Sequence, residues 1–293
     1  MYPTERHDAL LRVLSQKGFV SIQDLAAQLN VSEITIRRDL TMLQRQGMVE
    51  KVAGGGRAAK STSELAFMNK RVLQQAEKTA IAKQALSLIE PGMTISMSAG
   101  TTTWTLAKWI KPESLATGSG TPVAQREVKE RRSQARMKRE SLTFVTNSTN
   151  IAIALQANGW RDIHLTGGQF RTPSDALVGP LAEQSARQLH ADLLFLGAHG
   201  VDLEFGVSSP NLQEASVHRV LMERAETSVL LFDHTKWGVR GFAHLAMLDE
   251  VDVVITDASA EKDGDSDPHA AEIAELRRRG PEVIIARAET DDT

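Results

Sequence analysis

The chain has 293 residues, no cysteine, and a formal net charge of −3 from 34 Lys and Arg against 37 Asp and Glu. Without cysteine there are no disulfides, thiolate zinc sites or cysteine nucleophiles, which fits a reducing cytoplasm. No apolar run of about 18 residues and no signal-peptide pattern occur, so neither a membrane partner nor export is expected, and the histidines avoid ligand spacings such as HExxH, so neither metal nor cofactor is expected.

A first helix, roughly Glu5 to Gln16, offers Leu10, Leu11 and Leu14 to a small core. Ser21 then precedes IQDLAAQL with Asp24 three residues on, a capping-box start for a short helix that ends near Leu29. Asn30 and Val31 make a tight turn, and Ser32 is placed to cap the next helix, SEITIRRDLTML. On that helix Ile36, Leu40 and Leu43 share one face, while Arg38, Thr41 and Arg45 lie nearly opposite. Such a helix is held on one side and presented to a polyanion on the other. The spacing is that of a helix-turn-helix, whose second helix enters the major groove N-terminus first. Met48 to Val52 followed by Gly54-Gly55-Gly56-Arg57 reads as a β-hairpin with a flexible basic tip, a wing lying along the phosphates. The expected DNA contacts are Ser21, Ser32, Thr35, Arg37, Arg38, Thr41, Arg45, Lys51 and Arg57. Residues 1–60 carry nine Lys or Arg against six Asp or Glu, so positive charge is concentrated in this segment of an acidic chain. The competing reading is a three-helix module that binds another protein.

Residues 1–57 are thus expected to form a winged helix-turn-helix and 58–75 a linker. From 76 to 288 strands and helices alternate. Met93 to Ser98, Leu142 to Thr146, Ile163 to Thr166, Leu193 to Gly197, Val229 to Phe232, Val251 to Thr256 and Val283 to Ala286 read as short apolar strands. Thr102 to Ile110, Thr149 to Ala157, Leu181 to Leu189 and Glu214 to Glu226 read as the helices between them. That order predicts an open, mostly parallel α/β sheet covered on both faces. Residues 111–140 interrupt it with a polar, basic insertion that includes Arg126, Lys129, Arg131, Arg132, Arg136, Lys138 and Arg139. It reads either as a solvated helical excursion or as an auxiliary DNA-contacting patch.

Polar punctuation recurs at the carboxyl ends of the strands, where open α/β sheets bind ligands. Ser98-Ala99-Gly100-Thr101-Thr102-Thr103 runs from a strand into a helix, exposing backbone N–H groups at a positive helix end. Thr146-Asn147-Ser148, Thr166-Gly167-Gly168 with Arg171, Gly197-Ala198-His199-Gly200, and Asp233 with Lys236 occupy corresponding places. Each alone is ordinary loop chemistry. Together they suit a phosphorylated polyol, with N–H groups and cations for the phosphate and Asp or Asn for hydroxyls.

The segment ALLRVLSQKGFVSIQDLAAQLNVSEITIRRDLTMLQRQGMVEKVAGGG closely resembles the winged-helix signature of the DeoR family of bacterial transcriptional regulators. EKTAIA, SAGTTT, FVTNSTNIA, LTGGQFR, ALVGP, FLGAHGV, FDHTK and VVITD are similar to motifs of that family's C-terminal sensor domain, in the same order. The resemblance implies a repressor of carbohydrate catabolic genes that oligomerises and is released by a phosphorylated sugar, with a sensor similar in fold to ribose-5-phosphate isomerase. It assigns Thr35, Arg37 and Arg38 to the recognition helix, Gly100 to Thr103 to the phosphate loop, and Lys78, Asn147, Gly168, Arg171, Asp233 and Lys236 to the pocket. With Ser98, Gly167 and Gly197 these complete the expected effector set. The sequence departs from the family in having Ser98 where an Asp is usual, Ala53 before the wing glycines where His or Arg is usual, and a longer 111–140 connection. The alternatives are a sugar-phosphate isomerase-like enzyme with a DNA-binding appendage, using Asp233 and Lys236 as acid and base, and a DNA-binding architectural protein without an effector.

Overall fold

The computed structural model describes residues 6, 7, 9–11, 13, 14, 19–45, 49–58, 73–112, 141–257 and 269–287. Contacts divide the chain into two compact units, Met1–Gln75 and Ala76–Thr293.

The first unit begins with the helical residues between 6 and 14 (α1). Next come β1 (Phe19–Ser21), α2 (Ile22–Leu29), α3 (Glu33–Arg45), β2 (Val49–Val52) and β3 (Gly55–Ala58). Ser21 starts α2 by accepting the Asp24 N–H at 3.0 Å. The Asp24 carboxylate accepts a hydrogen bond from the Ser21 hydroxyl at 2.6 Å, so the acid returns to the hydroxyl rather than to the backbone N–H of a capping box. Helix α2 ends because Asn30 turns left-handed, at φ 50°, and its N–H closes onto Ala26 and Ala27. At the start of α3 the Ser32 hydroxyl accepts the Thr35 N–H at 3.2 Å. Leu10, Leu14, Leu25, Ile36, Leu40 and Leu43 are fully buried between the three helices.

The wing differs from the sequence expectation. β3 is the centre of a three-stranded antiparallel sheet ordered β1-β3-β2, so Phe19–Ser21, not anticipated as a strand, pairs with the wing. The hairpin tip is Ala53-Gly54, with Gly54 at φ 81°, while Gly55 and Gly56 are buried strand residues rather than a flexible tip. A Cβ on Gly55 would stand 2.3 Å from the Val20 carbonyl oxygen, and one on Gly56 would stand 2.8 Å from Leu40. Ala58 completes β3, and Leu73 packs against the first unit's core.

The second unit starts with α4 (Gln75–Leu86) at the boundary and continues β4 (Thr94–Met97), α5 (Thr101–Trp109), β5 (Thr143–Thr146), α6 (Thr149–Ala157) and β6 (Ile163–Leu165). A hairpin, β7 (Gln169–Arg171) and β8 (Ala176–Val178), leads to α7 (Pro180–Arg187) and β9 (Ala191–Gly197). Then follow β10 (Gly200–Asp202), β11 (Gly206–Ser209), α8 (Leu212–Glu223), β12 (Ala225–Phe232), β13 (Ala243–Ala246), β14 (Val253–Asp257), α9 (Ala270–Arg279) and β15 (Glu282–Ala286). Seven strands form one sheet, ordered β15-β14-β12-β9-β4-β5-β6, and every pairing in it is parallel. Leu193 and Phe195 of β9 enter one apolar cluster and Leu194 and Leu196 the other, the period-two alternation of a sheet buried on both faces.

Glu226, expected to end a helix, lies in β12 instead. The β7-β8 hairpin, the antiparallel β10-β11-β13 sheet and α9 were not anticipated. Most of the basic insertion, residues 113–140, including all seven of its named Arg and Lys, lies outside the described residues.

Strand order locates the candidate ligand-binding edge. From β4 the chain steps outward to β5 and β6, then returns to lay β9 on the other side of β4. Successive crossovers diverge between β4 and β9, opening a crevice at the carboxyl ends of those strands.

Candidate functional sites

In the first unit, α3 presents an outward stripe of Ile34, Arg38 and Met42 at four-residue spacing, all exposed. Arg37 is also exposed and meets Glu33 only at 3.4 Å, a surface pair of little energetic weight. Ile34 and Met42, which the sequence reading passed over, are 68% and 50% exposed; apolar side chains among arginines suit thymine methyl groups. Several other expected contacts are engaged within the unit. Thr41 donates to the Arg37 carbonyl at 2.7 Å and accepts from Lys51 Nζ at 3.3 Å, linking the recognition helix to the wing. Arg57 pairs with Glu50 at 2.7 Å across the hairpin. The hydroxyls of Ser21 and Ser32 cap helices, and the Ser32 hydroxyl also bonds that of Thr35 at 2.9 Å. The Arg45 side chain lies outside the described residues.

Asp39 was missed, although it falls on the same helical face as Ile36, Leu40 and Leu43. It is buried, with Arg6 Nε at 2.6 Å and His7 Nε2 at 2.9 Å. Burial alone would raise its pKa, but hydrogen bonds from Arg6 and His7 outweigh that and hold it below the usual carboxylate range. An acid on an apolar face was the available signal, because a buried charge needs partners.

In the second unit the parallel sheet brings the ends of β4, β5, β6, β9, β12 and β14 to one edge. At the crevice, Gly100 and Gly197 lie against each other: a Cβ on either would stand 3.7 Å from the other's Cα. Gly100 precedes α5, so the first N–H groups of that helix, from Thr101 to Thr103, lack intrahelical acceptors. Ser98 is fully buried and accepts the Gly197 N–H at 2.9 Å, fastening the two strand ends together. Thr103, also fully buried, donates to the Ser98 carbonyl at 2.8 Å. Asn147 spans two neighbours, accepting the Ala99 N–H at 2.9 Å and donating to the Leu177 carbonyl at 3.2 Å. These three side chains shape the turn, in which Gly100 and Thr101 are partly exposed while Ser98, Ala99, Thr102 and Thr103 are buried.

Gly167 and Gly168 both have positive φ, and a Cβ on Gly168 would stand 2.7 Å from the Val178 carbonyl oxygen. Arg171, on β7, pairs with Glu214 at 3.0 Å. Asp233, fully buried, follows β12. One carboxylate oxygen takes the Thr235 N–H at 3.2 Å and the Thr235 hydroxyl, while Oδ2 stands 3.9 Å from Lys78 Nζ, with no hydrogen bond among the described residues. Burial would raise the pKa of Asp233; Lys236, Lys78, Thr235 and His234 together outweigh it and bring it to about 2. The acid is therefore ionised, with an acceptor oxygen near the Lys78 ammonium and the charge of Lys236 also favouring the carboxylate. A ligand hydroxyl is a fitting donor for it.

Among the described residues, no helix is long and apolar enough to cross a membrane. A family model described as a DeoR-like helix-turn-helix domain matches residues 6–62, and one described as the DeoR C-terminal sensor domain matches residues 73–121 and 133–258. The HTH-type transcriptional regulator GlpR of Haloferax volcanii is 33% identical over 90% of this chain and 93% of its own length. The HTH-type transcriptional regulator GolR of Listeria innocua is 33% identical over 89% and 93%. The glycerol-3-phosphate regulon repressor of Escherichia coli K12 is 27% identical over 88% and 92%. Among solved structures, a D-ribose-5-phosphate isomerase in complex with phospho-erythronic acid aligns over 55% of this chain and 52% of its own, at 18% identity and a TM-score of 0.34. That score carries no inference about activity.

Proposed function

The chain belongs to the DeoR family and is a DNA-binding transcriptional regulator rather than an enzyme, and from that premise we propose how it is controlled. Its output is the exposed stripe of α3 with Arg37 and Arg38, docked as a homo-oligomer in successive major grooves of a double-stranded operator. Its input is a phosphorylated sugar or related metabolite at the carboxyl edge of the parallel sheet. The phosphate sits on the N–H groups of the Gly100–Thr103 turn, where the α5 dipole is positive. Hydroxyls face the Oδ2 of Asp233, with Lys236 and Lys78 beside it. The regulated genes are those of carbohydrate catabolism, in the cytoplasm, and ligand binding relieves repression.

The observation that carries this reading is Asp233: a fully buried, ionised carboxylate oxygen without a hydrogen bond among the described residues, on the same edge as an uncapped helix start. Control further requires the ligand to bind the operator-competent and operator-free states unequally, since equal affinity moves no equilibrium. Thermal shift of the intact protein against a panel of sugar phosphates and their unphosphorylated parents tests it. One phosphorylated compound should raise the melting temperature with the logarithm of its concentration and release operator DNA. If every compound leaves both melting and operator binding unchanged, the effector reading is wrong.

A further inference from the structure

We propose that the His234–Asp257 pair is part of the effector site, placing an imidazolium beside Lys78 and Lys236 as a third cation and a donor for an oxygen of the anionic ligand. The proposal rests on the effector reading above and assigns a further residue to that site. His234 follows Asp233 directly, in the short turn His234–Lys236 at the carboxyl end of β12. Asp257 stands at the carboxyl end of β14, the adjacent strand, and is buried. It grips His234 twice, accepting the backbone N–H at 2.7 Å on Oδ1 and facing ring Nδ1 at 2.6 Å with Oδ2. That grip fixes the ring's orientation and engages Nδ1, so Nε2 is the nitrogen left to donate to a ligand; the side chain is partly exposed.

Charge balance gives the ring its role. Among the described residues, the carboxylates acting on this cluster are Asp233 on the same turn, Asp257 from β14 and Glu77 from α4, and the ammonium groups are Lys236 on the turn and Lys78 from α4. Three acids face two lysines, so the cluster is neutral when His234 is protonated and carries one net negative charge when it is not. A phosphorylated ligand meets balanced charge in the first state and repulsion in the second. The hydrogen bond from Asp257 raises the His234 pKa above the ordinary value, burial opposes it, and the charges of Asp257, Asp233 and Glu77 reinforce the rise. The cation is thus present below that raised pKa and is lost as pH climbs through it, so anion affinity must fall with rising pH.

Sulfate is the suitable probe, because it remains a dianion across the histidine range whereas a phosphate monoester titrates there. Calorimetric titration of the full chain with sulfate, from about pH 5.5 to about 8.5, should show affinity falling as pH rises, at its steepest by nearly tenfold per pH unit if about one proton accompanies the ligand. His234→Gln should bind sulfate weakly with a flat profile, and Asp257→Asn should move the fall to lower pH, each variant being checked for fold by circular dichroism. Lys236→Gln should weaken sulfate binding at every pH. If His234→Gln keeps the wild-type slope while Lys236→Gln loses binding, His234 is only structural and the effector reading stands. If neither sulfate nor any sugar phosphate binds the wild-type chain at any pH, both fail together.

Discussion

Substituting each wing glycine with alanine tests whether Gly54-Gly55-Gly56 is a flexible tip or a packed strand. At Gly54 a Cβ meets nothing within 4 Å, but the backbone has φ 81°, and an L-residue there costs about 1–2 kcal/mol. At Gly56 the clash is with Leu40 Cδ2 at 2.8 Å, the end of a side chain in the recognition-helix core; over-packing of this kind costs about 1–3 kcal/mol. At Gly55 the obstacle is the Val20 carbonyl oxygen at 2.3 Å. A backbone atom can yield only by moving β1, so this variant loses the β1-β3 pairing of Ser21 with Gly55 and of Val20 with Gly56 in addition to an over-packing cost of at least about 3 kcal/mol. For a unit of this size each 1 kcal/mol lowers the melting temperature by about 4–8 °C. The expected order of damage is therefore Gly55→Ala, then Gly56→Ala, then Gly54→Ala. Hydrogen–deuterium exchange of the intact chain reads this out, because Phe19–Ser21 should lose protection in Gly55→Ala and keep it in Gly54→Ala. Equal protection in all three variants, or greatest damage at Gly54, would refute the packed-strand account.

Arg38→Ala should weaken operator binding and lower the slope of log affinity against log salt by about one if the residue contacts a phosphate, or cost about 1–3 kcal/mol at a single base pair if it reads a base edge. Unchanged, sequence-selective affinity would remove α3 as the recognition helix. Asn147→Ala should cost about 1–3 kcal/mol, because the buried Ala99 N–H is left without its acceptor. It should also weaken sugar-phosphate binding by loosening the turn. Asn147→Asp keeps an acceptor for Ala99 but turns a second one toward the Leu177 carbonyl, so it should be no better than alanine in a thermal melt.

The parts legible in the sequence were those governed by neighbours along the chain. Ser21, Asn30 and Ser32 mark where helices begin and end because caps act over two to four residues. The β-branched and apolar runs revealed the parallel strands because burial on both faces favours such side chains along most of each strand. β1 escaped notice because three residues, Phe-Val-Ser, show too little alternation, and its reason for being extended is a partner 36 residues away, in the pairing of Val20 with Gly56. The β10-β11-β13 sheet has the same character, since Ser208 pairs with His244 across an intervening helix and strand. At the site, residue types suggested a polar ring, and distance decides what each member does. Ser98, Thr103 and Asn147 spend hydrogen bonds on the turn itself, whereas Asp233 retains an oxygen.

The buried contact of Asp39 with Arg6 and His7 limits how a signal can reach DNA. It bolts the chain's first helix to the recognition helix at 2.6 and 2.9 Å, two hydrogen bonds to a charged group that are each worth about 1.5–3 kcal/mol. Coupling between an effector and a distant site amounts to about 1–3 kcal/mol. In the proposed mechanism a metabolite therefore lacks the leverage to rotate or unwind α3 within its own module. Under the proposed control, each winged helix is a rigid reading head, and the ligand acts by changing where the heads stand relative to the spacing of the operator.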